Sequence, residues 1–204
     1  MELYLSLILF ATSASITPGP NNIMMMSSGL NFGIKKSLPH LFGICVGFPL
    51  MIIVVGMGFS VVFQRWPIVH EVIKIVSVFY LLYLAWKIAT SAPASLESEK
   101  KNPIGFIQAA LFQWINPKAW VMATGAISAY TSLSSSFFAQ VLIIALVFFV
   151  LAFPCVGVWL MGGVGLKRFL QQANYQRVFN VSMAVLLVAS IVPTGVELVE
   201  LYFV

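Results

Sequence analysis

A run of uncharged residues, 119–166, is the sequence feature that most constrains the fold of this chain. A membrane-spanning helix needs about 20 mainly apolar residues, so this run holds two spans, divided by the polar cluster from Ser132 to Ser136. A second uncharged run covers 41–63. The whole chain is 60% hydrophobic and 8% charged, and a small fold in water could not hide so much apolar surface. The sequence therefore predicts an all-α membrane protein.

Six transmembrane helices account for the hydropathy pattern. The predicted spans are 3–27, 41–63, 68–88, 104–130, 137–166 and 178–196. We interpret the first as a retained span, because a signal peptide begins with basic residues and this chain has Glu2 there.

The basic residues between the spans predict the orientation. Eight of them follow spans one, three and five: Lys35, Lys36, Lys87, Lys100, Lys101, Lys167, Arg168 and Arg177. The opposite side has Arg65 and the nearby Lys74. Because loops rich in Lys and Arg stay in the cytoplasm, we expect a multi-pass protein of a bacterial inner membrane, N-out and C-out. We attribute the net charge of +5 to basic residues that face anionic lipid headgroups. These residues form no stripe of the kind that binds nucleic acid.

The markedly hydrophilic stretch 91–102 lies near the middle of the chain. It predicts a polar linker between two half-repeats, 1–90 and 103–204, inside one transmembrane transporter domain, 1–204. Each half has three spans, so the two halves have opposite orientations. This arrangement is the 3+3 inverted-topology repeat that many secondary transporters share.

Proline interrupts the first and fourth predicted spans at corresponding places. A proline lacks an N–H and clashes with the carbonyl four residues earlier, so the carbonyls of Ala14, Ile16 and Gln113 are expected to lose their helical partners. Glycine allows further unwinding, and asparagines can cap the helix that restarts. The residues of these two breaks are Thr17, Pro18, Gly19, Pro20, Asn21 and Asn22, then Gln113, Asn116, Pro117 and Lys118.

Two matched breaks predict a substrate-binding site near the middle of the membrane. Freed carbonyls and capping amides would hold an ammonium group, and the positive ends of the restarted helices would face a carboxylate. The alternative is that the prolines only kink helices for packing. Their matching positions in the two halves favour the binding site.

Lys118 is the most informative single residue. It lies far from the predicted cytoplasmic end of span four, and a charge near the bilayer centre costs at least about 2.5–3.5 kcal/mol. It is our candidate for binding a substrate carboxylate or for proton coupling. The alternative is a structural role, in which its ammonium caps freed carbonyls.

At these residues the chain resembles the lysine-exporter superfamily of bacterial amino-acid exporters. Thr17 to Pro20 match its Thr-Pro-Gly-Pro signature, and Asn116 to Ala119 match its Asn-Pro-Lys-Ala signature. The segment 80–89 (YLLYLAWKIA) resembles the third helix of the homoserine/threonine-resistance and cysteine-exporter branch. The resemblance implies a six-helix, alternating-access carrier that exports small neutral amino acids, such as homoserine, threonine, leucine or cysteine, in exchange for protons.

The number and location of the acidic residues favour a neutral substrate. The chain has no Asp, and its six Glu lie in or near loops and ends. A dibasic substrate would be expected to meet a buried carboxylate. The same pattern leaves Lys118 as the proton-coupling candidate, with Glu197 as a weaker one.

Two cysteines support a rival function of another class. Cys45 and Cys155 occupy similar places in the two halves and could serve a membrane thiol–disulfide oxidoreductase. Against this, the chain has no Cys-x-x-Cys motif, and a small buried hydrophobe is the commoner role for cysteine.

The remaining motifs add little chemistry. His40 and His70 lie at span starts, far apart, which suggests interfacial polar caps rather than a metal site. No Ser-His-acid set or phosphate-binding loop appears, so we expect no enzyme activity and no cofactor. Gly43 and Gly47 allow close helix packing, either within one subunit or in a homodimer.

Overall fold

The computed structural model describes residues 2–59, 65, 67–90, 103–131, 136–166 and 173–203, and every element in these ranges is helical. The all-α class is confirmed for this part of the chain. The predicted linker 91–102 lies outside the described residues, as does most of the Ser132–136 cluster. In chain order, the elements are α1 (Glu2–Ile16), α2 (Pro20–Val54) with a π-helical turn after it (Val55–Phe59), α3 (Pro67–Ala89), α4 (Phe106–Phe112) with a 3-10 turn after it (Gln113–Ile115), α5 (Pro117–Tyr130), α6 (Phe137–Leu166) and α7 (Ala173–Phe203).

Two described segments are long and apolar enough to cross a membrane by length and composition, Pro20–Gly58 and Phe137–Leu166. Shorter apolar helices cover Tyr4–Ile16, Phe106–Ile115 and Arg177–Ala189. The first two of these short helices end at the proline breaks. The breaks therefore separate the short apolar helices Tyr4–Ile16 and Phe106–Ile115 from the helices that follow them in the first and fourth predicted spans.

Helix α2 is a hairpin, because Gly33 interrupts it with φ 74°. Glycine adopts this left-handed conformation without the steric penalty of a Cβ. Ser28 Oγ and Ser37 Oγ lie 2.8 Å apart, although nine residues of straight helix span about 13.5 Å. The arms 20–32 and 34–54 therefore fold back on each other. The predicted gap between spans one and two, at 28–40, is wrong, because one glycine makes the turn.

Close backbone contacts attach both arms of α2 to their neighbours. A Cβ on Gly29 would meet the backbone carbonyl of Leu160 in α6, and one on Gly163 would meet that of Met26. Helix α6 therefore crosses the first arm with almost no space between the backbones.

The second arm makes a similar contact with α4. A Cβ on Gly43 would lie 2.6 Å from Ala109 Cβ, and one on Gly47 would lie 2.6 Å from Ala110 Cα. Gly43 and Gly47 therefore allow close packing of two helices within one chain. The sequence had also left open that they pack against a second subunit.

The core has aromatic and aliphatic parts. Phe148 of α6 is fully buried and meets the rings of Phe48 and Phe10 edge-on, with centroids 5.2 Å and 6.3 Å away. A second cluster joins α3 and α7 to the helices of the breaks. It contains Ile23, Met24, Leu81, Leu84, Ala85, Ile88, Phe112, Met183, Ala184 and Leu187.

The outer surface is strongly apolar. Val121 is 72% exposed, Phe79 is 70% exposed and Ile107 is 64% exposed, and similar residues lie along every long helix. Contiguous apolar surface on this scale is unfavourable in water. It is the surface expected of a protein surrounded by lipid.

Candidate functional site

The first break separates α1 from α2 at residues 17–19. Two of the carbonyls that the break frees accept hydrogen bonds from side chains. Thr17 Oγ1 donates to the Ala14 carbonyl at 3.0 Å, and Trp159 Nε1 of α6 donates to the Ile16 carbonyl at 3.0 Å. Unpaired backbone groups are very unfavourable in hydrocarbon. These two carbonyls, which we expected to bind a substrate, are instead satisfied by the chain itself.

The ammonium of Lys118 binds the next two carbonyls. Lys118 Nζ lies 2.8 Å from both the carbonyl oxygen and Oγ1 of Thr17, and 3.3 Å from the carbonyl oxygen of Pro18. These three contacts match the three donors of an ammonium group. Asn22 Nδ2 also donates to the Thr17 carbonyl, at 2.8 Å, and to the Ser15 carbonyl, at 2.7 Å.

Gly19 leaves room for the lysine. Its backbone is extended, with φ 179°, a conformation open to any residue. However, a Cβ at this position would lie 2.7 Å from Lys118 Cδ and 3.1 Å from Nζ. The glycine is therefore explained by the close approach of Lys118.

The second break follows α4 and has the geometry that its sequence predicts. The chain tightens into the 3-10 turn, and Asn116 is extended, with φ −92° and ψ 107°. Asn116 Oδ1 accepts a hydrogen bond from the Lys118 N–H at 3.2 Å, and Pro117 occupies the first turn of α5. Asn116 therefore caps α5, as expected, while the Gln113 carbonyl accepts the Asn116 N–H at 3.3 Å.

The two breaks meet through a pair of amide side chains. Asn21 Nδ2 donates to Gln113 Oε1 at 2.9 Å, and Gln113 Nε2 donates to Asn21 Oδ1 at 3.2 Å. Gln113 is fully buried, and it also donates to the Ala109 carbonyl at 2.9 Å. Such a reciprocal pair fixes the position of one break relative to the other.

One part of the capping prediction is wrong. The N-cap of α2 is Gly19, which makes no side-chain cap. Asn21 turns to Gln113 and Asn22 turns back to the carbonyls of the break. The asparagines of the first break therefore connect and stabilise the break instead of capping the helix beyond it.

A small cavity of about 40 Å³ lies where the breaks meet. A water molecule needs about 10–15 Å³ on this measure, so the cavity suits a few waters and is too small for an amino acid. Its polar lining comes from Ser15, Asn21, Asn22, Asn116 and Lys118. Phe48, Met122 and Val156 add apolar walls from three other parts of the chain, and the pattern of the breaks gave no signal for them.

Both cysteines are buried, free thiols. Cys155 Sγ lies 3.9 Å from the carbonyl oxygen of Thr12, and Cys45 packs in an apolar cluster with Ala152 and Val156. These surroundings are those of small buried hydrophobes, and burial separates the thiols from a soluble redox partner.

Comparisons with known proteins agree with the resemblance that the two signatures suggested. The family described as "LysE type translocator" matches residues 12–192, which include both breaks. The cysteine/O-acetylserine efflux protein of Salmonella choleraesuis (strain SC-B67) is 30% identical over 175 residues, covering 85% of this chain and 88% of that protein. The protein of the same name in Escherichia coli (strain K12) is 29% identical over 175 residues, with the same coverage. No solved structure matches the chain. Because the match covers most of its length, the chain belongs to the LysE-type translocator family.

Proposed function

We propose that this protein is a secondary active exporter of small neutral amino acids, with its substrate site where the two helix breaks meet. The observation that carries the proposal is the binding of the Lys118 ammonium to the carbonyls of Thr17 and Pro18. The first break thus holds a primary ammonium, the group that every common α-amino acid except proline carries. Membership of a translocator family and similarity to cysteine/O-acetylserine efflux proteins support the direction of transport.

Six spans in the order expected are part of the proposal, and the described helices can be assigned to them. The first span is α1 with the first arm of α2, the second is the arm 34–54, and the fourth is α4 with α5. Helices α3, α6 and α7 are the third, fifth and sixth. The same loop charges then support an inner-membrane orientation with both termini outside, and the paired breaks support a 3+3 inverted repeat.

Substrate binding at this site requires an exchange of ammonium groups. The ammonium of the amino acid would take the place of Lys118 on the carbonyls of Thr17 and Pro18. The released Lys118, together with the N-terminal end of α5, would then bind the carboxylate. Because the cavity holds only about 40 Å³, this exchange needs the two halves to move apart. Such a rocking motion about a central site is the basis of alternating access.

The lining of the cavity supports a neutral substrate. Its described polar residues are one serine, three asparagines and one lysine, without a carboxylate to pair with a second ammonium. The apolar walls suit a short side chain such as that of cysteine, homoserine, threonine or leucine. Coupling to protons is part of the proposal, with Lys118 as its candidate because its ammonium joins the two halves.

Proteoliposomes that contain the purified protein provide the test. They are loaded with a panel of labelled amino acids, including cysteine, O-acetylserine, homoserine, threonine, leucine and lysine, and release is measured with and without a pH gradient. We expect release of one or more small neutral amino acids, accelerated by the gradient, and no release of lysine. Release of lysine alone would contradict the neutral cargo, and no release of any of them would contradict export.

A further inference from the structure

A second, larger cavity lies beside the first arm of α2, toward the turn at Gly33. Its volume is about 470 Å³, inside the range of about 300–1,000 Å³ that is common for small-molecule sites. Its polar lining consists of Ser27, Ser28, Asn31, His40, Lys87 and Thr90. In this conformation the second cavity is therefore large enough for an amino acid, whereas the cavity at the breaks is too small.

His40 is the unusual member of this lining. Its side chain has no exposed surface, and neither Nδ1 nor Nε2 has a hydrogen-bond partner among the described residues. His40 therefore makes none of the hydrogen bonds expected of a polar cap, while the side chain of His70 lies outside the described residues. Buried polar groups without a partner are rare and point to a missing ligand or a functional role.

The hydroxyls near His40 are already paired. Ser28 Oγ and Ser37 Oγ share a hydrogen bond of 2.8 Å, and Asn31 Nδ2 donates to the carbonyl and Oγ of Ser27 at 2.8 Å and 3.3 Å. The imidazole of His40 therefore keeps a ring nitrogen that can accept a hydrogen bond, beside a cavity that Lys87 also lines.

This combination is complementary to a zwitterion. A neutral imidazole accepts a hydrogen bond from an ammonium group, and an ammonium group donates to a carboxylate. Lys87 is exposed, with Nζ 5.5 Å from the centre of the Tyr83 ring, and its long side chain can turn to bind a carboxylate in the cavity that it lines. The apolar lining from Met24, Leu84 and Ile88 suits a short apolar side chain. The imidazole nitrogens have almost no accessible surface, so the ring must turn toward the cavity that it already lines.

We propose that this cavity is a second amino-acid binding site, in which His40 accepts the substrate ammonium and Lys87 binds its carboxylate. The inference rests on the proposed function. Ser28 is six residues after Asn22 on the same arm of α2, or about 9 Å along the helix. In the proposed orientation Lys87 is at the cytoplasmic side, so this cavity is the entry site from which the substrate reaches the breaks.

Protons and substrate compete at His40. A protonated imidazole has two donors and no acceptor, and its positive charge repels an ammonium group. The other charged groups near it are basic: Lys87 of α3 lines the cavity, and Lys35 and Lys36 lie exposed on its own helix. The neighbouring helices α4 and α6 carry no charged residue, and Cys155 is the titratable residue of α6. No carboxylate among these residues offsets the charge, so protonation of the imidazole expels the amino acid.

The test compares the wild type, His40→Gln and Lys36→Gln in proteoliposomes, with labelled cysteine under reducing conditions as the probe. Exchange of external for internal cysteine is measured at equal pH on both sides, at several values from about pH 7 to about pH 3.5. We expect the apparent KM of the wild type to rise with falling pH, by at most about tenfold per pH unit, over the range in which the imidazole gains its proton. His40→Gln should exchange cysteine with a KM independent of pH, and Lys36→Gln, an exposed lysine on the same helix, should behave as the wild type.

Two results with His40→Gln would overturn the proposal. One is an unchanged pH dependence of KM, which would place proton competition elsewhere. The other is a folded, monodisperse variant that exchanges nothing at any pH, because Gln keeps an acceptor for the ammonium and a complete loss would show that accepting it is not the role of His40. Lys87→Gln should raise the KM at every pH and keep its pH dependence, and an unaltered KM would exclude Lys87 as the carboxylate ligand. If the wild type exchanges no amino acid in the panel, it is the proposed function that fails.

Discussion

The ammonium of Lys118 lies 2.8 Å from the carbonyl oxygen of Thr17, a residue 101 positions earlier in the chain. This contact joins the proline break of the first half to that of the second. A charge near the middle of a membrane is otherwise unfavourable. Here the carbonyl oxygens stabilise the ammonium by taking the place of water around it. The same contact explains why Gly19 has no side chain and why the cavity at the breaks is small.

Gly19→Ala should impair transport without unfolding the protein. The new Cβ would lie 2.7 Å from Lys118 Cδ and 3.1 Å from Nζ, so the lysine side chain must shift, which weakens its contacts with the carbonyls of Thr17 and Pro18. We expect transport to fall about tenfold, equivalent to the loss of about 1.4 kcal/mol of interaction. Gly125→Ala in α5 is the matched control, because a Cβ at that position meets nothing within 4 Å. Transport equal to that of the control would show that the approach of Lys118 to Gly19 is unimportant.

The amide pair between Asn21 and Gln113 should be measurable as a coupling. Either residue changed to alanine leaves a buried polar partner, at a cost of about 1–3 kcal/mol. The double variant removes both partners, so its destabilisation should be less than the sum of the single ones by about 1 kcal/mol. Thermal unfolding in detergent of the four proteins measures this difference. Additive effects would mean that the two breaks are not held together by this pair.

The contact between Gly163 and Met26 should be a determinant of stability. Gly163→Ala places a Cβ against the Met26 carbonyl, and forced repacking of this kind costs about 1–3 kcal/mol. We expect a lower Tm in detergent than for the wild type. Gly157→Ala on the same helix has open space around it and should leave the Tm unchanged or raise it slightly. Equal Tm values for the two variants would contradict the close crossing of α6 with the first arm.

The cysteines should be dispensable for transport. Both thiols are buried and free, in surroundings typical of small hydrophobic residues. The double variant Cys45→Ala with Cys155→Ala should therefore keep gradient-driven release within about twofold of the wild type, because conservative changes at small core positions have modest effects. Complete loss of release by a stable double variant would revive the thiol–disulfide alternative.

Local backbone chemistry explains what the sequence could predict about the site. A proline removes its own N–H and the bond to the carbonyl four residues back, and the breaks occur where glycine or asparagine adjoins it, at Pro18, Pro20 and Pro117. Proline alone is not sufficient, because Pro39, Pro49 and Pro154 lie inside helices that continue past them. The cap formed by Asn116 is local in the same way. Lys118 was one of the groups expected on the carbonyls of a break, and it does bind those of Thr17 and Pro18. The partner of the Ile16 carbonyl could not be predicted, because Trp159 lies 143 residues from Ile16 and only the packed fold brings them together.

The turn between the first two spans shows a different limit. The polar run around Lys35 and Lys36 resembles a loop by composition, yet the chain reverses direction through the single residue Gly33. A backbone torsion, and not hydropathy, decides how many residues such a turn uses. The burial of His40 was likewise not indicated by hydropathy, because it depends on the helices that pack around it.

Transport by Lys118→Ala tests the central claim most directly. Proteoliposomes with wild type, Lys118→Ala or the control Lys36→Ala are loaded with labelled cysteine, and release is followed after a pH gradient is imposed. We expect release from the wild type and from Lys36→Ala, and at least about a tenfold loss for Lys118→Ala, since intramembrane ionisable residues are generally functional. Full release by a correctly inserted Lys118→Ala would contradict a substrate site at the two helix breaks.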